Sequence, residues 1–375
     1  MKEIRMVDLK GQYEKIQDEV DHAIKGVIAS TAFIKGPDVS LFEQELAQFL
    51  DVKHAIACAN GTDALQVAMM ALGLKPGDEI ITTPFTFIAT VEVIKLLGLT
   101  PVFVDVEADS FNINPELIES AISNQTKAIV PVHLFGQCAE MEIITRIAEK
   151  YKLTVIEDNA QAIGAEYIYS DGMKRKAGAI GDVGTTSFFP SKNLGCYGDG
   201  GAMFTNNPEL ADKLSTLANH GMNRRYYYDY VGVNSRLDTL QAAILRIKLR
   251  HLEKYNMVRK AAADYYDRAF DSLPGVTIPA RKSYSTHIFH QYTLQVPKEQ
   301  RDELHSYLGS KQVPSAIYYP VPLHLQTAYK DLGYKAGDFP VAERFSERVI
   351  SLPMHTELDE EQLSYIAETV SAFFK

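Results

Sequence analysis

The sequence predicts an α/β protein: a mostly parallel sheet of about seven strands flanked by helices, followed by a smaller C-terminal α+β domain. Three observations carry that reading. At 375 residues the chain can bury a large core and is long enough for two domains. Between residues 55 and 205, short continuous apolar runs alternate with helix-like stretches, the pattern of parallel strands covered on both faces. Beyond Leu237 the pattern changes to long helical stretches with weaker strand signals.

Taken in order, residues 11–30 read as an amphipathic helix, residues 33–37 as an irregular link and residues 38–50 as a second helix. Apolar runs place strands at 55–59, 79–82, 101–105, 128–131, 153–157, 185–189 and 201–205. Only a short glycine-rich loop joins the last two, so at least one strand is antiparallel. Helices at 238–252 and 257–273, strands at 287–295 and 314–319 and a closing helix at 359–374 complete the chain. The boundary falls near residue 250, between a large domain of residues 1–250 and a small one of residues 251–375. There is no internal repeat, low-complexity tract or long Pro/Gly/Ser linker.

A formal net charge of −10 argues against a nucleic-acid partner, which needs clustered Lys and Arg. It leaves room for an anionic small substrate held by a few local cations. The first residues carry no apolar signal core, and no apolar run approaches the roughly 20 residues that span a bilayer. The expectation is a cytoplasmic protein with no membrane partner. Cys58, Cys138 and Cys196 are too few and too scattered for a disulfide framework or a zinc site, so no metal is expected. Cys196 lies close to Lys192 in sequence and is either a packing residue or part of the site's lining.

The chemistry concentrates in three places. The stretch Thr185-Thr-Ser-Phe-Phe-Pro-Ser-Lys-Asn-Leu-Gly-Cys-Tyr-Gly-Asp-Gly-Gly-Ala202 sets Lys192 between an apolar strand and a glycine-rich turn. An unpaired ammonium is expensive there, and desolvation leaves the free amine that imine formation needs. In Val155-Ile-Glu-Asp-Asn-Ala-Gln-Ala162, Asp158 stands just past a strand, either as a helix cap or as a carboxylate that keeps a pyridine nitrogen protonated. Asn60-Gly-Thr-Asp-Ala-Leu65 opens a helix after the first strand, where the dipole and backbone amides favour phosphate, although Gly-Thr is also ordinary capping. Ligands of open α/β sheets sit beyond the carboxyl ends of the strands. Gly61, Thr62, Asp158, Gln161, Ser187 and Lys192 together form a constellation suited to pyridoxal phosphate.

Further motifs extend this set nearly end to end: Val7-Asp-Leu9, Gly36-Pro37, Glu157-Asp-Asn-Ala-Gln161, Phe189-Pro-Ser-Lys192, Gly198-Asp-Gly-Gly-Ala202, Gly232-Val-Asn-Ser-Arg-Leu-Asp-Thr-Leu-Gln-Ala-Ala243, Tyr318-Tyr-Pro-Val-Pro-Leu-His324 and Leu352-Pro-Met354. The chain thereby resembles the sugar aminotransferases of the DegT/DnrJ/EryC1/StrS family, fold-type-I pyridoxal phosphate enzymes. The resemblance implies that Lys192 forms the imine with the cofactor and shuttles the proton, while Asp158 pairs with the pyridinium nitrogen. It gives Gln161 to the phenolic oxygen and Phe87 to the ring face. The phosphate falls to Gly61, Thr62, Ser187 and Asn234, the last from the other subunit of a homodimer with shared active sites.

Within the family the chain looks most like the branch that aminates UDP-2-acetamido-2-deoxy-3-keto-glucuronic acid for bacterial surface polysaccharides. That likeness implies UDP-sugar and L-glutamate/2-oxoglutarate as substrates, with Thr31, Phe33, Ser191, Arg236, Tyr318 and Tyr319 around the sugar. Arg236 suits a carboxylate because its planar fork matches one. Tyr318 stands where that branch has His, and Asn193 where it has proline. Three other readings compete: another acceptor such as a dTDP-3-keto-6-deoxyhexose or a UDP-4-keto sugar, a sugar dehydratase, and a non-catalytic regulator that binds pyridoxal phosphate. The dehydratase variant replaces the lysine with histidine, so Lys192 argues against it. A dinucleotide dehydrogenase lacks its Gly-x-Gly-x-x-Gly after the first strand.

Overall fold

A computed structural model describes residues 2–375. The helix expected at 11–30 is two helices, α1 (Leu9–Glu14) and α2 (Gln17–Ser30). The chain bends at Ile16, which buries its side chain with Val20, Ile244 and Ile247. Helix α3 (Pro37–Leu50) starts with proline at its first position, where the missing N–H has no helical partner to lose.

The central layer then builds up as alternating units: β1 (His54–Cys58), α4 (Gly61–Ala71), β2 (Glu79–Thr82), α5 (Ala89–Leu96), β3 (Thr100–Phe103), β4 (Thr126–Ile129), α6 (Met141–Tyr151) and β5 (Thr154–Asp158). A small hairpin, β6 (Glu166–Ile168) with β7 (Lys174–Lys176), precedes β8 (Val183–Ser187) and β9 (Gly201–Thr205). The seven-stranded sheet runs β1-β9-β8-β5-β4-β2-β3. Strand β9 is antiparallel to both β1 and β8, and every other pairing is parallel. The expected strand at 185–189 begins and ends two residues earlier. After Ser187 the chain leaves the sheet, and the Phe188 amide instead bonds the Gly200 carbonyl at 2.7 Å.

Successive strand residues point to opposite faces. Ile80, Val130, Ile156 and Met203 meet α4, α5 and α7 (Pro208–Ala218) on one face. On the other, Ile81, Ile129 and Val155 pack on α6, while Ala57, Ala202 and Phe204 pack on α3 and α8 (Thr239–Leu249). Between α7 and α8 lies an exposed ribbon, β10 (Met222–Arg224) with β11 (Tyr227–Tyr228).

The remainder comprises α9 (Leu252–Phe270), β12 (Tyr292–Gln295), α10 (Lys298–Ser310), α11 (Pro340–Arg348), β13 (Val349–Leu352) and α12 (Glu360–Phe373). Tyr266, Tyr292, Leu304, Ile350 and Val370 form its core, joined by Ile4 from the chain start. Two strand expectations need correction. Only residues 292–295 of the run 287–295 pair, and of 314–319 only Ala316 makes a bridge, to Ser351. No helix among the described residues is long and apolar enough to cross a membrane. Cys196 is fully buried with its thiol directed at the Phe188 and Gly198 carbonyls, the packing role rather than a lining one.

Leu46 is fully buried in α3 against the sheet. Leu46→Ala should cost about 2–5 kcal/mol in urea unfolding, from lost transfer and cavity terms. A cost under about 1 kcal/mol would show α3 to be peripheral to the cooperative core.

Candidate active site

Beyond the carboxyl ends of β1, β5 and β8 lies a cavity of about 950 Å³. Lys192 reaches it from the loop after β8, which is pinned from behind. Phe188 packs edge-on against Phe42 at 5.4 Å, Asn193 Nδ2 donates to Asn256 Oδ1 at 2.7 Å, and buried Lys248 Nζ donates to the Gly195 carbonyl at 2.5 Å. Protein surrounds Lys192, and its half-buried side chain opens onto the cavity. Burial lowers its pKa from 10.5 to about 8, with the Asp158 charge pulling the other way. Much of the lysine near neutrality is therefore one proton away from a free amine.

Asp158 ends β5 and no helix follows it, so the helix-cap alternative falls. Its Oδ2 accepts from Thr90 Oγ1 at 2.7 Å and its Oδ1 from the Ala160 amide at 3.1 Å. On the opposite side of the strand, Glu157 accepts from His133 Nε2 and from the amides of Gly178, Ile180 and Gly181 at 2.6–2.9 Å. Burial raises the Glu157 pKa, but His133 and these amides outweigh it and hold the carboxyl below its ordinary value. His133 Nδ1 accepts from the Ala139 amide at 3.1 Å, so a neutral ring carries its proton on Nε2, toward Glu157. Gln161 is oriented in the same way. Its Oε1 accepts from the Phe135 amide at 2.8 Å, which leaves Nε2 to donate to Tyr319 Oη at 3.1 Å.

The third part is an anion cradle. Asn60 Oδ1 caps α4 by accepting from the Asp63 amide at 2.8 Å, and Gly61 begins the helix. A Cβ on Gly61 would lie 2.6 Å from Ser187 Cβ, so only glycine lets the positive end of α4 meet the end of β8 this closely. Phe87, about half exposed, stands over the cavity with its ring centroid 6.4 Å from that of Tyr319.

Gly61, Thr62, Phe87, Asp158, Gln161, Ser187, Ser191, Lys192, Tyr318 and Tyr319 thus line one cavity. Thr31, Phe33, Asn234 and Arg236 do not. Thr31 is the left-handed cap of α2, and the exposed Phe33 accepts from the Thr239 amide through its carbonyl. Arg236 lines a separate small hollow with Lys35 and Asn219, and its Nη1 donates to Asn219 Oδ1 at 3.3 Å. Asn234 bridges Asn219. Sequence reasoning missed Thr90, which orients Asp158, and His290, which lines the cavity. The only sequence signal for His290 was a polar residue inside the apolar run Ile288-Phe289-His290.

A family model described as the DegT/DnrJ/EryC1/StrS aminotransferase family matches residues 14–371. A Geobacillus stearothermophilus protein named pleiotropic regulatory protein is 45% identical over 99% of both chains. The Pseudomonas aeruginosa UDP-2-acetamido-2-deoxy-3-oxo-D-glucuronate aminotransferase is 44% identical, covering 98% of this chain and 99% of its own. The Acidithiobacillus ferrooxidans UDP-N-acetyl-3-dehydro-alpha-D-glucosamine 3-aminotransferase is 45% identical, covering 98% and 97%. Among solved structures, S. venezuelae DesV in complex with a ketimine intermediate superposes with a TM-score of 0.96 at 39% identity, covering 100% of this chain and 99% of its own. The Bacillus subtilis ntda structure with bound cofactor PMP gives 0.89 at 32% identity, covering 96% and 82%.

Competitive labelling of the ligand-free protein with acetic anhydride, read by mass spectrometry, tests the Lys192 environment. The protonated amine is inert and the free amine reacts, so labelling of Lys192 should rise with pH through a midpoint near 8. A midpoint at the ordinary 10.5 would mean that burial does not act on it.

Proposed function

The chain belongs to the DegT/DnrJ/EryC1/StrS aminotransferase family, and we propose that it moves an amino group from L-glutamate to the 3-keto carbon of a UDP-linked 2-acetamido-2-deoxy uronic acid. The step would serve synthesis of a bacterial surface polysaccharide. The observation that carries the reading is the meeting of Lys192 and Asp158 in one cavity. The choice of sugar rests on the 44% identity to the P. aeruginosa enzyme named for it.

The residues fit pyridoxal phosphate, the cofactor of this aminotransferase family. Gly61, Thr62 and Ser187 would take the phosphate at the amino end of α4, Asp158 the pyridine nitrogen, Gln161 the phenolic oxygen and Phe87 the ring face. When bound, the cofactor supplies a carbonyl that condenses with amines and a protonated ring that draws electrons from the bond being broken. Thr90 and the Ala160 amide hold the Asp158 carboxylate still, so its charge is aimed in advance. Lys192 Nζ takes a proton from glutamate Cα in the first half-reaction and returns one to sugar C3 in the second. A pKa near 8 lets it do both at neutral pH.

Thr31, Phe33, Asn234 and Arg236 would come from a second protomer. None of the four lines the cavity of its own chain, and Phe33, Ile34 and Leu41 are exposed apolar residues in the same stretch as Thr31. A patch of that kind suits a subunit contact. In a homodimer Asn234 would reach the phosphate and Arg236 the uronate carboxylate, with Ser191, Tyr318 and Tyr319 around the sugar. The A. ferrooxidans relative favours a second reading, the corresponding glucosamine-type acceptor, which lacks that carboxylate. The name of the G. stearothermophilus relative keeps a regulator in view, but retention of Lys192 and Asp158 together favours catalysis.

The two acceptors separate in one comparison. The unaltered enzyme should prefer the uronate in kcat/KM, and Arg236→Lys should remove most of a preference on the order of 1.5–3 kcal/mol. Equal efficiency on both sugars would remove the carboxylate role and favour the glucosamine reading. Asp158→Asn keeps the shape without the charge, and turnover should fall by several orders of magnitude while cofactor still binds. A change under about tenfold, roughly 1.4 kcal/mol of barrier, would reduce Asp158 to a structural role. Asn234→Ala should weaken cofactor retention, and sedimentation should find the active species to be a dimer. A fully active monomer would contradict the shared site.

A further inference from the structure

The rest of the cavity wall comes from the second half of the chain, including His290, Gln291, Tyr318, Tyr319 and Val321. His290 has no role in the steps above, and its position is unusually constrained. Ile288 donates its amide to the Gly136 carbonyl at 2.9 Å, and a Cβ on Gly136 would come within 2.9 Å of the His290 amide nitrogen. Arg259 Nη1, itself buried, donates to the carbonyls of Phe289, His290 and Met354 at 2.9–3.3 Å. The backbone that carries the imidazole is therefore fixed on both sides.

His290 is only 6% exposed. Its Nδ1 is enclosed, whereas its Nε2 is not enclosed and makes no hydrogen bond within the chain, so Nε2 is the nitrogen open to the cavity. A polar atom left unpaired on the wall of a largely enclosed cavity is completed by water or by a ligand. The charged groups acting on the ring are Lys192 and Arg259, and with burial they hold its pKa far below the ordinary histidine value. The ring is therefore neutral, able to donate one hydrogen bond and accept one. Such a ring pairs with a hydroxyl or amide oxygen without any change in its protonation.

We infer that His290 is a substrate-contacting residue that hydrogen-bonds an uncharged oxygen of the acceptor sugar, a hydroxyl or the 2-acetamido group, within the Lys192 cavity. This rests on the nucleotide-sugar reading above. The cofactor contacts assigned above all lie at or before Asn234, so the His290 wall is left to the substrate.

The test uses cofactor-loaded enzyme and UDP-N-acetylglucosamine as a stable probe, with affinity measured by calorimetry. His290→Leu should bind the probe at least ~10-fold more weakly, and His290→Gln should stay within ~3-fold of the unaltered enzyme. Cofactor retention should be the same in all three. Equal affinity in His290→Leu would overturn the inference, as would a parallel loss of cofactor. Should His290→Leu fail to fold, nitrogen-15 NMR of the unaltered enzyme decides. The imidazole signal missing from His290→Gln should shift when the probe is added, and no shift overturns the inference. If the unaltered enzyme binds no nucleotide sugar, the nucleotide-sugar reading fails and takes the inference with it.

Discussion

An ammonium group is costly to desolvate, and Lys192 stands half-buried with Asp158 as the nearby carboxylate that favours its proton. The rest of the site follows from that balance. Full neutralisation by a close ion pair would fix the proton on the amine. Without any carboxylate the cavity would lose the charge that a protonated ring needs. Thr90 and a backbone amide fix the Asp158 carboxylate, which keeps acceptor sites free and acts on Lys192 as a nearby charge rather than through a hydrogen bond between them.

The sheet supplies the precision. Asp158 pairs in register with Thr185 across β5 and β8, so the acid and the loop carrying Lys192 hang from neighbouring strands. Antiparallel β9 then closes the glycine-rich loop against β1 and brings the start of α4 to Ser187. Behind the loop, Lys248 is a second buried lysine with a pKa lowered to about 8, yet its Nζ is tied to the Gly195 carbonyl and it does not line the cavity. The two lysines share a lowered pKa and differ in access, since Lys192 opens onto the cavity and Lys248 does not.

Much of this was legible in the sequence because strand ends and turns are local features. The short loop before Gly201 announced the antiparallel strand, and the apolar runs around Lys192 announced its desolvation. Where tertiary contacts decide, the sequence misled or was silent. The helix of good periodicity over residues 11–30 is interrupted at Ile16, a break that its apolar pattern does not signal. Tyr318 and Tyr319 read as strand, yet they face the cavity instead of pairing along an edge. Thr90 lies far from Asp158 in sequence, and its hydroxyl carries no local signal of the acid it orients. Arg236 was singled out through the family resemblance, but only the fold reveals that it faces away from Lys192 within one chain.

The identity of the reactive lysine is the claim on which everything else stands. Borohydride reduction of the cofactor-loaded protein, followed by peptide mapping, reads it directly. A single pyridoxyl group on the peptide containing Lys192 is the expected outcome. The same group on Lys248 or on a surface lysine, with Lys192 unmodified, would contradict the assignment of this cavity as the active site.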